Sequence, residues 1–164
     1  MLKLSGIVED SIVDGPGIRV TIFCQGCPHH CPGCHNPETW DFSGGTAMEE
    51  ERLVQIVRSN PLCRGVTFSG GEPFAQPEPL AELAAGLKVR GFHLMSYSGY
   101  TFEELLALPG ARLLLEQLDL LVDGPFVEAR KDIGLRFRGS ANQRVLDVPA
   151  SLAAGAPLWC GQYR

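Results

Sequence analysis

The sequence predicts an α/β fold in which a mainly parallel sheet alternates with helices and stays open on one side. Apolar segments of strand length alternate with segments whose apolar residues recur at helical spacing, a pattern typical of parallel sheets with right-handed crossovers. A complete eight-stranded β/α barrel typically needs about 250 residues, whereas this chain has 164. We therefore expect either a doubly wound sheet or a partial, open TIM-like β/α barrel.

Four buried strands are predicted along the chain, at residues 18–24, 65–69, 93–97 and 118–122. The first is β-branched and apolar, as expected of a strand that is covered on both faces. In such sheets the functional groups gather beyond the carboxyl ends of the strands. Because a loop with candidate site residues follows every predicted strand, we expect four loops to meet at one edge of the sheet.

Helices are predicted between these strands. Thr46 and Glu49 have capping-box spacing, and apolar residues recur on one face of the turns that follow, which predicts a helix beginning at Thr46. Residues 77–90 carry leucines at helical spacing and end at Gly91, which can adopt the left-handed conformation of a helix end.

The capping-box spacing returns once more before the last predicted strand. Thr101 and Glu104 precede a leucine-rich segment, which predicts a further helix. Pro109 and Gly110 are expected to divide that segment into two helices. Beyond Asp123 the sequence predicts no element.

Composition and charge indicate one globular domain over residues 1–164, with 45% hydrophobic and 20% charged residues. The net charge of −5 disfavours a broad basic surface for nucleic acid or anionic lipid. No apolar run approaches the roughly 18 residues of a membrane span, and no signal-peptide core follows Met1. We expect a cytoplasmic protein that binds neither nucleic acid nor membrane.

A cysteine cluster is the most informative feature of the chain, since four of the six cysteines lie within eleven residues. Without a signal peptide, this clustering favours metal or redox chemistry over disulfides. Cys27, Cys31 and Cys34, here called the cysteine triad, form a CxxxCxxC array, and thiolates are the ligands of iron–sulfur clusters. Three thiolates leave one iron of a four-iron cluster open, and an open iron can bind and polarise a ligand.

The alternative interpretation joins Cys24 to the cysteine triad as two CxxC hooks of a structural zinc site. Only three residues separate the hooks, whereas zinc modules usually place about a dozen or more between them. Cys24 is also assigned to the first predicted strand. We therefore prefer the iron–sulfur interpretation, and we expect Cys24, Cys63 and Cys160 to be buried free thiols.

Four short motifs resemble those of the radical S-adenosylmethionine (SAM) enzymes, and within them the activases of glycyl-radical enzymes. Residues 27–34 match the family's CxxxCxxC motif, and residues 70–73, Gly-Gly-Glu-Pro, resemble its GGEP motif. Residues 14–19, Asp-Gly-Pro-Gly-Ile-Arg, and residues 34–36, Cys-His-Asn, are typical of the activases. The resemblance spans about residues 13–143 and implies a partial barrel of the radical SAM type.

The resemblance implies two cofactors, a 4Fe-4S cluster held by the cysteine triad and SAM bound at the open iron. Gly-Gly lets the backbone approach a ligand closely, and the following glutamate can accept a hydrogen bond from the SAM ammonium group. Each candidate also has a structural alternative. The Gly-Gly-Glu-Pro segment can be a strand-ending turn, His35 a surface histidine, and Asp123 with Gly124 an ordinary turn. The residues expected to contact SAM are Gly33, Cys34, His35, Gly70, Gly71, Glu72 and Asp123.

The resemblance also implies two partners, a glycyl-radical enzyme and a low-potential electron donor such as flavodoxin or ferredoxin. Asp14, Gly15, Pro16, Gly17 and Arg19 form a bend that is expected to receive the glycine loop of the glycyl-radical enzyme. The alternative is a structural turn with a surface ion pair worth at most about 1 kcal/mol.

Chain length and two further motifs indicate which glycyl-radical enzyme is the partner. Residues 122–124, Val-Asp-Gly, and residues 138–143, Arg-Gly-Ser-Ala-Asn-Gln, resemble the small activases that serve the large subunit of anaerobic ribonucleotide reductase. Activases of pyruvate formate-lyase share residues 14–19 and 34–36 but are longer. Residues 138–143 are compatible with a partner contact and with closure of the open side of the sheet.

The chain departs from the resembled family in two places, at Gly33 and after Leu146, where the residues match no segment of the family and leave the C-terminal fold open. Gly33 stands where many radical SAM enzymes have an aromatic residue, which leaves the packing of adenine open. A non-catalytic iron–sulfur or zinc protein with an electron-transfer or structural role is the alternative to an enzyme. That alternative predicts no SAM binding and no role for Glu72.

Overall fold

Seven strands form one continuous open sheet in the computed structural model, which describes residues 1–164. Five helices follow or connect the strands, and short 3-10 turns lie at Pro37–Thr39, Pro73–Ala75, Glu128–Arg130 and Gly161–Tyr163. In chain order the elements are β1 (Leu2–Ser11), β2 (Arg19–Cys24), β3 (Thr46–Met48), α1 (Glu50–Ser59), β4 (Gly65–Gly70), α2 (Pro77–Lys88), β5 (His93–Tyr97), α3 (Phe102–Ala107), α4 (Ala111–Leu115), β6 (Leu120–Asp123), β7 (Arg144–Asp147) and α5 (Val148–Ala154).

The sheet has a parallel centre and antiparallel edges. Its strand order is β3-β1-β2-β4-β5-β6-β7. The four central strands, β2, β4, β5 and β6, are parallel to one another, as the alternation of strands and helices predicts. β1 is antiparallel to both β2 and β3, and β7 is antiparallel to β6. The first and last strands of this order do not pair, so the expectation of an open sheet is confirmed.

The helices α1 to α4 pack against one face of this sheet. The main core joins their buried side chains, Leu53, Leu80 and Leu105 among them, to strand residues such as Ile22 and Phe68. The opposite face carries a smaller apolar cluster that includes Met95, Val122 and Tyr163. Since these helices do not cover both faces, the fold is the partial barrel rather than the doubly wound sheet.

The helix expected to begin at Thr46 begins at Glu50 instead. Residues Thr46–Met48 form β3, in which Thr46 lies opposite Leu4 and Met48 opposite Leu2 of β1. The N-cap residue of α1, Glu49, accepts no backbone hydrogen bond with its side chain. The prediction was wrong because the pairing of this segment with a strand far away in sequence outweighed a local spacing signal.

The other helices lie where they were predicted, although α2 ends at Lys88 and not at residue 90. Gly91 follows the end of α2 with φ of +87°. Thr101 Oγ1 accepts a hydrogen bond from Glu104 N at 3.2 Å, while Thr101 N donates to Glu104 Oε1 at 2.9 Å, which completes a capping box. Gly110, with φ of +80°, separates α3 from α4.

The carboxyl ends of the four parallel strands lie side by side. β2 ends at Cys24, β4 at Gly70, β5 at Tyr97 and β6 at Asp123, and the loops that follow them meet at one edge as predicted. None of the helices combines the length and apolar character that a bilayer-spanning segment needs.

Candidate active site

An open cavity of about 540 Å³ lies at the carboxyl ends of the parallel strands. Loops after all four of these strands contribute to its lining, and residues 135–143 form a further wall. The lining residues that the sequence singled out are Asp14, Cys27, Cys31, Cys34, His35, Asn36, Gly70, Gly71, Gly124, Arg138, Gly139 and Gln143.

The cysteine triad lines this cavity with three free thiols. Cys34 N donates a hydrogen bond to Cys31 O at 3.0 Å, and Asn36 N donates to Cys34 Sγ at 3.4 Å, which fixes the turn that carries the last two cysteines. Cys27 is the most buried of the three, and burial raises the pKa of its thiol. A set of three thiols facing one cavity suits an iron–sulfur cluster as its donor set.

Cys24 cannot join the triad in a zinc site. Its side chain has no exposed surface and belongs to the main core, and burial raises its pKa to about 12. The four-cysteine zinc interpretation therefore lacks one of its ligands.

Of the other two cysteines, one lies as expected and one does not. Cys63 is buried, and its thiol donates a hydrogen bond to Gly65 O at 3.1 Å. Cys160 is only half-buried, because it lies in the C-terminal segment at the rim of the smaller apolar cluster. The expectation of a buried thiol at Cys160 is corrected accordingly.

The two glycines after β4 allow a close approach of backbone to backbone. Gly70 has φ of +90°, and a Cβ there would lie 2.7 Å from Cys24 N. A Cβ on Gly71 would collide with Gly26 O, while Gly71 N donates a hydrogen bond to Cys24 O at 2.7 Å. The loop after β4 is thereby held against the start of the loop after β2 that carries the cysteine triad, here called the cysteine loop, and both glycines line the cavity.

Glu72 lies beneath the cavity instead of facing it. Its side chain is fully buried, and Oε1 lies 2.6 Å from His29 Nε2 and accepts from Gly99 N at 2.8 Å. Oε2 accepts from Ser98 Oγ at 2.9 Å and from Phe74 N at 3.0 Å. With both oxygens occupied, the carboxylate joins the cysteine loop to the loops after β4 and β5, and this arrangement does not support the expected contact with a ligand ammonium group.

Asp123 is likewise a structural carboxylate, which corrects its expected place in the SAM site. It is 1% exposed and does not line the cavity. Its oxygens accept from Arg144 Nε at 3.0 Å, Arg144 Nη2 at 2.5 Å and Phe102 N at 2.7 Å. These hydrogen bonds raise the pKa of Arg144 and tie β6 to β7 and to the start of α3.

The bend at residues 14–17 lies beside the cavity, and Asp14 is its only member among the lining residues. Asp14 Oδ2 accepts hydrogen bonds from Ser11 Oγ at 2.7 Å and from Thr21 Oγ1 at 3.2 Å. These contacts orient the carboxylate, and Gly15, Pro16 and Gly17 lie outside the cavity lining.

Arg19 is fully buried, so it is neither a surface contact for a partner nor half of a surface ion pair. Its Nη1 donates to Pro16 O at 2.9 Å and its Nε to Thr67 Oγ1 at 2.8 Å, while Nη2 donates to Val66 O and His93 O. Burial lowers the pKa of Arg19 to about 10. The residue therefore supports the bend from inside the sheet.

The two residues that flank Cys34 differ in position. His35 lines the cavity, and its ring centroid lies 5.3 Å from that of Phe126. Gly33 has φ of +76° and is not among the lining residues, and a Cβ there would lie 2.8 Å from Glu128 Cδ. A bulky residue is therefore strained at this position, and the aromatic surface of the cavity comes from other segments, including Trp40 and Phe126.

Residues 138–143 close one side of the cavity. Gln143 Oε1 accepts from Gly139 N at 2.8 Å, and Gln143 Nε2 donates to Gly124 O at 3.1 Å. Asn142 Nδ2 donates to Pro125 O at 2.8 Å. The motif thus folds back on the loop after β6, which supports closure of the open side of the sheet as its structural role.

Several lining residues escaped the sequence analysis. His29 lies inside the cysteine loop, and its contact with Glu72 has no local signal because the two are 43 residues apart. Trp40, Phe126 and Phe137 also line the cavity. Aromatic residues in irregular segments carry no periodicity, so only the tertiary structure brings them to the site.

Comparison with known proteins agrees with this architecture. The crystal structure of QueE from Escherichia coli matches with a TM-score of 0.52 and 23% identity, over 61% of this chain and 53% of that chain. This likeness supports the fold. The sequence pattern of the family described as "4Fe-4S single cluster domain" matches residues 13–146, which include the cysteine triad and every loop of the cavity.

Relatives with assigned names resemble the chain over most of its length. An anaerobic ribonucleoside-triphosphate reductase-activating protein of Pasteurella multocida is 39% identical over 80% of this chain and 89% of its own, and that of Vibrio cholerae is 36% identical over the same shares. A pyruvate formate-lyase-activating enzyme of Clostridium pasteurianum is 41% identical, over 65% of this chain and 48% of its own. The chain therefore belongs to the 4Fe-4S single cluster domain family and, within it, to the anaerobic ribonucleoside-triphosphate reductase-activating proteins.

Proposed function

We propose that this protein is a radical SAM activase that generates a glycyl radical on an anaerobic ribonucleoside-triphosphate reductase. The observation that carries the proposal is the placement of the cysteine triad, which lines one cavity together with Gly70 and Gly71 at the carboxyl ends of the parallel strands. When bound, a reduced 4Fe-4S cluster supplies the electron that cleaves SAM to methionine and a radical able to take hydrogen from a partner glycine.

In this proposal the residues of the chain bind the cluster and SAM, contact the partner and exclude water. Cys27, Cys31 and Cys34 hold the cluster, and His35 and the Gly-Gly turn border the space for SAM. Asp14, fixed by its two hydroxyl donors, faces the cavity beside the bend at residues 14–17 and contacts the glycine loop of the partner. Residues 138–143 exclude water from one side.

The reductant and the compartment are also part of the proposal. A low-potential donor such as flavodoxin or ferredoxin supplies the electron, and neither nucleic acid nor a membrane takes part. All six cysteines are free thiols in the structure, and free thiols persist in the reducing cytoplasm. This agrees with a cytoplasmic site of action.

Pyruvate formate-lyase or another glycyl-radical enzyme is the second candidate partner. The Clostridium pasteurianum activating enzyme is 41% identical to this chain but is covered over only 48% of its length. The reductase-activating relatives are covered over 89%, which favours the reductase.

The test is an anaerobic assay for 5′-deoxyadenosine. Protein reconstituted with iron and sulfide is supplied with SAM and a strong reductant, and the product is measured by mass spectrometry. We expect wild-type protein to form 5′-deoxyadenosine and Cys31→Ala to form none. Absence of product from wild-type protein that carries a full cluster would contradict radical SAM chemistry and favour an electron-transfer or structural role.

A second assay examines the role of Asp14. Asp14→Ala is expected to cleave SAM normally without the partner but to transfer the radical poorly to the reductase, measured by electron paramagnetic resonance of the glycyl radical. Equal losses in both assays would show that Asp14 shapes the SAM site instead of contacting the partner.

A further inference from the structure

Arg138 is the one permanently charged basic side chain in the lining of the cavity, whose other basic residues are histidines. Among the lining residues it is the only lysine or arginine, and Asp14 is the only aspartate or glutamate. Arg138 is half-buried, and no carboxylate forms an ion pair with it. A guanidinium taken partly out of water without a counter-ion is unfavourable, so its place in the wall points to an anionic ligand.

Arg138 also lacks hydrogen-bond acceptors for part of its guanidinium group. Its Nη1 donates to Gln143 O at 3.1 Å, whereas its Nε is buried and has no acceptor. Buried donors in folded proteins nearly always have a partner. The guanidinium therefore keeps donors that no group of the chain occupies, and its planar donor set is the one with which arginine binds a carboxylate.

The C-terminal segment holds this guanidinium in place. The Arg138 guanidinium carbon lies 5.1 Å from the centroid of the Trp159 ring, and the Arg164 guanidinium carbon lies 5.6 Å from the same centroid. Trp159 pairs with Leu146 of β7 in an isolated bridge. Because β7 is bonded to β6, the tryptophan is a platform anchored to the sheet.

The residue before Arg138 adds an independent observation. Phe137 lines the cavity with φ of +64°, a strained conformation for a bulky residue that is found at ligand-binding segments. Its ring lies 5.2 Å from that of Tyr163, which is buried. The C-terminal segment therefore supports two successive residues of the cavity wall.

We propose that Arg138 binds the carboxylate of the ligand in this cavity and that Trp159 is the residue that positions it. The inference rests on the proposed function, under which the carboxylate belongs to the methionine part of SAM. Asp123, which the resemblance placed among the residues expected to contact SAM, is already bonded to Arg144.

The experiment compares two ligands that differ only in the carboxylate. Anaerobic equilibrium binding of SAM and of decarboxylated SAM is measured on reconstituted protein at equal iron content, for wild type, Arg138→Gln and Arg130→Gln. Arg130 is an exposed arginine near the same wall and is not among the lining residues, which makes it the matched control.

We expect Arg138→Gln to weaken SAM binding by about 10- to 100-fold, as for the loss of a charge-assisted hydrogen-bonded pair, and to leave decarboxylated SAM unaffected. Arg130→Gln should bind both ligands like wild type. Equal weakening of both ligands, or of neither, would overturn the proposal. Unchanged SAM binding with poor radical transfer would also overturn it and assign Arg138 to the partner.

Wild-type protein that binds neither ligand would overturn the proposed function together with this inference, whereas normal wild-type binding without a ligand-selective loss overturns the inference alone. Trp159 is tested in the same assay. Trp159→Leu should show a smaller loss that is again selective for SAM, and Trp159→Phe should restore binding because a ring face remains for the guanidinium. A loss in Trp159→Leu that is equal for both ligands would show a merely structural role.

Discussion

Two buried carboxylates at the strand ends receive all their hydrogen bonds from the chain itself. Glu72 joins the cysteine loop to the loops after β4 and β5, and Asp123 joins β6 to β7 and α3. Charge-assisted hydrogen bonds of this kind are stronger than neutral ones, and a buried partner left without one is costly. These residues therefore shape the cavity edge from below.

Replacing Glu72 with Gln measures how much the hydrogen bonds of this carboxylate stabilise the fold. The amide keeps the shape of the side chain but puts an NH₂ group where one oxygen accepts hydrogen bonds, so we expect Glu72→Gln to lower the free energy of unfolding by about 1–3 kcal/mol. The measurement is urea denaturation of the cluster-free protein. Glu82→Gln, on the exposed face of α2, should change stability by less than about 0.5 kcal/mol, and similar effects of the two would contradict the role of Glu72.

The cysteines provide a second residue-scale prediction. Cys24→Ala should take up as much iron as wild type, because that thiol lies in the core, whereas Cys27→Ala should lose most of the cluster. Iron content and visible absorption of the reconstituted proteins report the difference. In the cluster-free protein, iodoacetamide should label Cys31 and Cys34 but not Cys24, whose burial and raised pKa of about 12 keep it protonated. Labelling of Cys24 would show that it reaches the site.

At the scale of elements, two identical sequence signals have different structural outcomes. Thr101 caps α3, whereas Thr46 pairs with β1 in β3 and caps nothing. An N-cap is a local interaction of a few residues, so a strand that offers more backbone hydrogen bonds can displace it. The helix α1 begins after the strand has ended.

The corresponding prediction is a matched pair of substitutions. Thr101→Ala should destabilise the protein by about 1 kcal/mol, the usual cost of losing a helix cap. Thr46→Ala, at an exposed position of a short edge strand, should cost less than about 0.5 kcal/mol. Urea denaturation of both variants measures the two changes in the free energy of unfolding. A larger change for Thr46→Ala would favour the capping role that the sequence suggested for Thr46.

At the scale of the whole molecule, the open sheet brings loops that are distant in sequence to one cavity. Cys27, Gly70 and Gly139 line the same space although they belong to three different parts of the chain. A group that binds only the folded arrangement stabilises it by mass action. Cluster loading should therefore stabilise the entire fold and not only the cysteine loop.

Calorimetry of protein with and without the cluster tests this expectation. We expect reconstitution to raise Tm by about 5–10 °C, which corresponds to a hundredfold excess over Kd in a chain of this size. Removal of iron with a chelator should reverse the shift, and Cys31→Ala should show none. An equal rise in Cys31→Ala would mean that the iron binds elsewhere.

The sequence by itself determined the elements and the chemistry that depend on neighbours along the chain. Alternating strands and helices predicted the parallel centre of the sheet, the pair Thr101 and Glu104 predicted a helix start, and the spacing of the cysteine triad predicted the donor set. These signals are local, because helix caps, strand periodicity and ligand spacing involve residues within a few positions of one another.

Only the tertiary structure decided which of the suggested residues face the cavity. Arg19 and Asp123 carry charges that the sequence placed at the surface or the ligand site, yet both are buried, since their partners come from other strands. The Arg138 guanidinium carbon lies 5.1 Å from the ring centroid of Trp159, which comes twenty-one residues later in the chain. Hydrogen bonds and packing between distant segments form only when the sheet assembles, and they leave no pattern in the sequence from which they could be foreseen.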